Sequence, residues 1–258
     1  MTFRVEQAIF TSLRGERMAG YQLASRSSGI DDSLAQQLSN WGPAHDAIET
    51  RLGRTSVNVH ALEGDLVCIG YTQLAGTEYS GRAGGRIYTH SFILPTEALA
   101  LFQFNPFTIL RAFRGAGRTQ PRREPPESLD TFRLVGRATG GVTTAQKSLA
   151  STLAEATCEK LLWALAAGQP VYLAADEPLD GLIEAVLQLL PAEDRAGVSL
   201  STGLRLSPRR PFQLQAVPND AVLLRQLARN EHNVVVHVHS PNSSPSRDTK
   251  SSTGTKFC

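Results

Sequence analysis

The sequence predicts an α+β to α/β fold: an antiparallel-sheet N-terminal half followed by an α/β unit on a mixed sheet. Three observations lead there. Up to residue 95 the chain places β-compatible runs next to one another with short turns. After residue 131, helical and strand patterns alternate. Between them, residues 114–130 hold three prolines and two glycines, the composition of a loop or linker. The expected organisation is 4–113 for the antiparallel unit, 114–130 for the basic linker or loop, 131–240 for the α/β unit and 241–258 for a polar, disordered tail. That tail cannot bury enough apolar surface to offset its ordering entropy.

The elements follow in order. Residues 5–12 read as a strand, and 21–26 pair back on them as a hairpin partner. Asp31 and Asp32 can cap a helix by accepting from unpaired first-turn N–H groups. Leu34, Leu38 and Trp41 then share one face, and Gly42-Pro43 ends that helix. Val57, Val59 and Ala61 alternate with polar residues, 66–71 is apolar enough for a central strand, and 86–94 is a third strand closed by Pro95. The short Glu63-Gly64-Asp65 turn makes the first two of these antiparallel. A helix over 96–103 is expected with Thr96 as cap, and Asn105-Pro106 opens another.

In the second half, 144–167 reads as a long helix with Ala150, Ala154, Cys158, Leu161 and Leu165 on one stripe and Gly168 at its end. Residues 171–175 form a buried strand pattern. Leu179, Leu182, Ile183, Val186, Leu187 and Leu190 repeat at helical spacing between Pro178 and Pro191. Glu193-Asp194-Arg195 reads as a solvated loop, 198–202 and 212–217 as strands, Asn219-Asp220 as the cap of a short helix, and 233–239 as a last strand.

Composition excludes several classes. Apolar residues make up 41% and charged residues 19%, so the chain is not disordered throughout. No apolar run approaches the ~18 residues of a membrane span, and the N-terminus lacks the layout of a signal peptide, so a cytoplasmic protein is expected. A net charge of +2 does not by itself argue for nucleic acid. Cys68, Cys158 and Cys258 show neither CxxC nor Cys/His spacing, so no metal is expected. His237 and His239 share a strand face, yet a third ligand is missing nearby. The pattern G-x-x-x-x-G-K-[ST] is absent, which leaves no self-contained NTPase site of that kind, and no cofactor is expected.

Candidate chemistry is sparse. Gly81-Arg-Ala-Gly-Gly-Arg86 offers N–H groups beside two arginines, but it lies between strands and reads as a mobile hairpin loop. His90 and Ser91 are strand neighbours, so their side chains point to opposite faces and do not make a nucleophile–base pair. Asp176-Glu177 precede a helix start, where capping accounts for them. No catalytic residues are assigned. The arginines at 82, 86, 114, 118, 122 and 123 crowd two loops without an aromatic platform on which bases would stack.

Gln7-Ala-Ile-Phe-Thr-Ser, Gly20-Tyr-Gln, Arg26-Ser-Ser-Gly-Ile, Asn40-Trp-Gly-Pro-Ala-His-Asp46, the strand 86–94 and Leu190-Pro-Ala-Glu-Asp-Arg-Ala-Gly-Val-Ser-Leu-Ser-Thr-Gly203 together resemble a bacterial family. It is the type-two N-terminal domain of GTPase-associated protein one, and the resemblance spans roughly residues 4–240. It implies a component of a GTPase-linked conflict or signalling system, with a GTPase encoded nearby as protein partner, and it transfers no catalytic residue.

The expectation that follows is a non-enzymatic adaptor that binds a protein partner, with Arg82, Arg86, Arg114, Arg118, Arg122 and Arg123 as contact residues. Two alternatives stay open: a nucleotide or nucleic-acid binder using the same arginines, and a hydrolase assembled from residues distant in sequence, such as His90 with a serine or aspartate.

Overall fold

A computed structural model describes residues 1–13, 20–78, 85–136 and 153–238. Arg82, His239, Cys258, the first part of the helix expected over 144–167 and the tail at 241–258 lie outside the described residues.

The described chain builds a mixed α+β fold on one 11-stranded sheet. Its strands are β1 (Thr2–Leu13), β2 (Gly20–Ser27), β3 (Thr55–Leu62), β4 (Leu66–Leu74), β5 (Ile87–Pro95), β6 (Ser128–Leu129), β7 (Phe132–Val135), β8 (Val171–Ala175), β9 (Leu200–Ser201), β10 (Leu214–Pro218) and β11 (Val234–His237). They lie in the order β11-β8-β10-β9-β3-β4-β5-β1-β2-β6, and β7 pairs with the N-terminal end of β1. The N-terminal strands β1–β5 pair antiparallel, as the short turns predict. The second half is parallel across β11, β8, β10 and β9. Two-residue β9 joins the halves, antiparallel to β3 on one side and parallel to β10 on the other. The sheet is therefore continuous across the expected boundary at 114–130.

Helices α1 (Asp32–Trp41), α2 (Thr96–Ala100), α3 (Pro106–Gly115), α4 (Glu155–Ala166), α5 (Asp180–Leu189), α6 (Ala192–Arg195) and α7 (Ala221–Ala228) cover both faces. One face carries the main core, with Ile69, Phe92, Leu173 and Leu214 under apolar residues of α2 to α5. On the other, α1 sets Leu34 and Leu38 over Ala8, Cys68 and Ile93, and α7 sets Leu224 over Ala174 and Val217. Among the described residues no helix is long and apolar enough to cross a membrane.

The expected caps are largely in place. Asp31 accepts from the Leu34 N–H, the Asn105 side chain from those of Phe107 and Thr108, and Asp220 from those of Val222 and Leu223. Thr96 is not a cap: its hydroxyl donates to the Asp65 carbonyl, and α2 is shorter than expected. Gly42 ends α1 against the Phe10 ring, where any β-carbon would collide. Gly168, at φ 72°, closes α4 in the left-handed conformation.

Two charged residues are structural, one of which, Arg195, is expected in a solvated loop. Arg195 sits on α6 and donates to the carbonyls of Leu190, Gln103 and Gln188, tying down the free C-terminal end of α5. Glu184, on α5, is buried; Arg111 grips both its oxygens at 2.7 and 2.8 Å, and Asn105 donates to one of them. The α5 helix is thus buried on nearly every side, wider than its six-residue apolar stripe implies.

Candidate functional site

Residues 116–131 cross the α3 side of β1, β4 and β5 as a strap with fixed anchors. Gln73 donates to the Thr119 carbonyl at 2.7 Å, Gln7 to that of Asp130 at 2.5 Å, and β6 pairs parallel with β2. The firmest anchor is Arg86. Its guanidinium donates to the carbonyls of Arg123 (2.8 Å), Arg122 (3.0 Å) and Ala75 (3.2 Å). Composition predicts a linker or loop at 114–130 and a mobile rim at Arg86; these long-range bonds hold the segment and Arg86 in place.

The six candidate arginines separate accordingly. Arg86 is half-buried and structural. The guanidiniums of Arg114 and Arg118 lie 5.6 Å and 4.8 Å from the ring centroids of Tyr71 and Phe132. Arg122 and Arg123 are exposed on a backbone that Arg86 immobilises. Arg82 lies outside the described residues. Removing Arg86 deletes several charge-assisted bonds, so Arg86→Ala is expected to cost about 2 kcal/mol. In a protein of this size that lowers the melting temperature by roughly 4–8 °C. Scanning calorimetry checks this, and an unchanged melting temperature would mean that the strap does not depend on Arg86.

Beneath the strap, His90 is 4% exposed and its Nε2 lies 3.0 Å from Gln7 Oε1. Burial, reinforced by the Arg122 and Arg118 charges, pushes its pKa down to about 4. Ser91 points to the opposite face, where its side chain bonds Cys68, so strand parity separates His90 from Ser91 as expected.

That opposite face carries a layer the sequence reading missed. Asn58 Oδ1 accepts from Ser56 (2.8 Å) and Ser201 (2.9 Å), Asn58 Nδ2 donates to Thr72 (2.9 Å), and Thr72 and Thr89 share a bond of 2.9 Å. These side chains tie β3, β4, β5 and β9 together. Polar residues alternating with Val57 and Val59 were the available signal, but alternation does not say that both faces are covered. Nearby, His60 stacks on Trp41 at 4.0 Å beside a cavity of about 20 Å³, room for about one water. Burial pushes His60 down to about 4 and the Cys68 thiol up to about 12. At neutral pH neither is charged, which suits a structural layer better than nucleophilic chemistry.

A third feature is an open cleft of about 700 Å³ at the carboxyl end of β10, lined also by the segment that follows β9. Its apolar lining includes Leu206, Val217, Leu223 and the exposed Val222. Its charges neutralise one another: Arg51 bonds Glu49 at 3.2 Å, and Arg205 bonds Asp46 at 2.5 Å and Glu49 at 3.5 Å. Asp220 occupies the first N–H groups of α7. Sequence spacing does not bring these segments together. Among the described residues no group of three or more His, Cys, Asp or Glu is placed to hold a metal ion.

A comparison with known families matches residues 4–131 to the family described as GTPase-associated protein 1, N-terminal domain type 2. The match covers β1 to β6, α1 to α3 and the whole strap; the 190–203 motif lies beyond it. No curated protein matches the chain.

Proposed function

Because this chain belongs, through residues 4–131, to the family of GTPase-associated protein 1 N-terminal domains of type 2, we propose that it is a non-enzymatic adaptor of a GTPase-linked bacterial conflict or signalling system. It works in the cytoplasm and docks an acidic surface of a protein partner, a GTPase encoded nearby, onto the strap. One observation carries this reading: Arg86 holds the backbone carbonyls of Arg122 and Arg123, so two exposed guanidiniums stand on an immobilised segment inside the family-matched region. A pre-ordered contact loses less conformational entropy on binding than a free loop would. Arg122 and Arg123 make the contacts, Arg86, Arg114 and Arg118 position the strap, and Arg82, outside the described residues, stays a candidate contact from the sequence alone.

The test is co-purification of the full chain with the neighbouring GTPase. Arg122→Glu with Arg123→Glu is expected to abolish the complex while the melting temperature stays within about 4 °C of wild type, since exposed substitutions shift stability by only ~0.5 kcal/mol each. Capture at wild-type level would place the contact elsewhere. A single-stranded oligonucleotide that binds with steep salt dependence, and loses affinity in the same variant, would favour the nucleic-acid alternative.

A further inference from the structure

The loop between β9 and β10 reads Ser207-Pro-Arg-Arg-Pro211, with proline at both flanks fixing φ. Arg210 N–H donates to the Ser207 carbonyl at 3.0 Å, and Phe212 N–H donates to the Arg210 carbonyl at 2.9 Å. Phe212 is buried, its ring 5.2 Å from Trp41. This tight turn draws Arg210 inward, between the C-terminal end of α1 and the β1–β2 hairpin.

Arg210 is only 9% exposed, and its Nε is buried without a hydrogen-bond partner. Among the described residues the side chain has a single hydrogen bond, from Nη1 to the Gly42 carbonyl at 3.5 Å. Among the described residues no carboxylate lies within ion-pair distance. Every comparable arginine is better served: Arg111 has a bidentate carboxylate, Arg86 and Arg195 have three carbonyls each, and Arg205 has two carboxylates. A buried guanidinium cannot shed its proton at physiological pH, and leaving it unpaired is costly. Such a group invites an explanation in terms of a missing partner.

Arg210 lines an open cleft of about 590 Å³. Exposed Arg209 lies on the same wall, with Gln36 and Asn40 of α1 offering amide donors, while the Ser39 hydroxyl donates back to the Ala35 carbonyl; Phe10 and Tyr21 form the apolar side. The described lining contains two cations and no carboxylate. A single carboxylate would neutralise one of the two guanidiniums, whereas a phosphate dianion matches both and accepts from several donors at once.

We propose that this cleft binds a phosphate group, with Arg210 as its buried anchor and Arg209 as its outer clamp. The site lies on the α1 face of the sheet, away from the strap, and stands or falls independently of partner docking.

The test uses the full chain and two probes, inorganic phosphate and ribose 5-phosphate, against sodium chloride at matched ionic strength. Both phosphates are expected to raise the melting temperature saturably, because a ligand bound only by the folded state stabilises it. Arg210→Met is expected to weaken phosphate binding roughly tenfold or more. In phosphate-free buffer the same variant should melt above wild type, since the unpaired charge is gone. Arg209→Gln, on the exposed side, should weaken binding less and leave the fold alone, which keeps the test decisive if Arg210→Met does not fold. Tighter binding of the sugar phosphate would assign the site to a phosphate ester, and tighter binding of the inorganic ion to free phosphate. A wild-type protein indifferent to both probes, or an Arg210→Met variant that responds as wild type does, overturns the proposal. Arg210 would then be a cap on the carbonyl end of α1.

Discussion

Leu182→Asp is expected to leave little folded protein. Leu182 is 5% exposed on α5, and every residue from Leu182 to Gln188 on that helix is buried. The substitution forfeits about 2 kcal/mol of apolar burial. It also places a carboxylate where an unpaired charge costs several kcal/mol more. A typical domain has only about 5–15 kcal/mol in total. The protein should be recovered mainly in the insoluble fraction, and any soluble remainder should melt without a cooperative transition. Leu182→Met, which keeps volume and polarity, should cost less than about 1.5 kcal/mol and serves as the control. A soluble Leu182→Asp protein with a cooperative melt close to wild type would show that water reaches this side of the helix.

The α5 stripe was legible because an apolar period of 3.6 is a local property. So were the hairpin turns, the Asn105-Pro106 opening and the caps at Asp31 and Asp220, each decided within four residues; Asp176-Glu177 do not cap as expected, since α5 begins at Asp180 without a side-chain cap and Asp176 accepts from Asn219. What sequence could not reveal depends on partners far along the chain. Prolines and arginines at 114–130 look like a linker because the groups that hold them, Gln7, Gln73 and Arg86, are 36 to 123 residues away. Arg195 looks solvated for the same reason: the Gln103 carbonyl reaches it from the turn after α2. The polar layer of Ser56, Asn58, Thr72, Thr89 and Ser201 was hidden by a symmetry of the strand. Alternation predicts two different faces, and only the position of α1 and of β9 says that the polar one is buried. Arg210 was invisible because an Arg-Arg pair between prolines is an ordinary surface loop until the fold turns one side chain inward.

Acid is expected to destabilise the fold through its two buried histidines. His60, 5% exposed, donates from Nδ1 to the Ala61 carbonyl at 3.1 Å as a neutral ring against Trp41, and His90 is the neutral ring under the strap. Both have pKa values pushed down to about 4, against about 6.5 for an unfolded histidine. Above pH 6.5 the folded and unfolded chains both hold neutral imidazoles, and the full stability is present. Between pH 6.5 and 4 the unfolded chain takes up protons that the folded chain refuses, so stability falls as pH falls. Each histidine can account for roughly 3 kcal/mol over that window, a large share of the total. Asp180 works in the opposite sense, because burial raises its pKa and lets the folded state accept a proton sooner than the unfolded state. Urea unfolding at pH 7, 6, 5 and 4.5 should show a steep loss for wild type. It should be shallower for His60→Gln and for His90→Gln, and shallowest for the pair. Glutamine cannot titrate, so only removal of the histidine protonation flattens the profile in this way. Equal stability from pH 6.5 to 4.5 in the wild-type protein would mean that both imidazoles gain their protons without opening the sheet, and that neither the strap nor the Trp41 stack shields them from water.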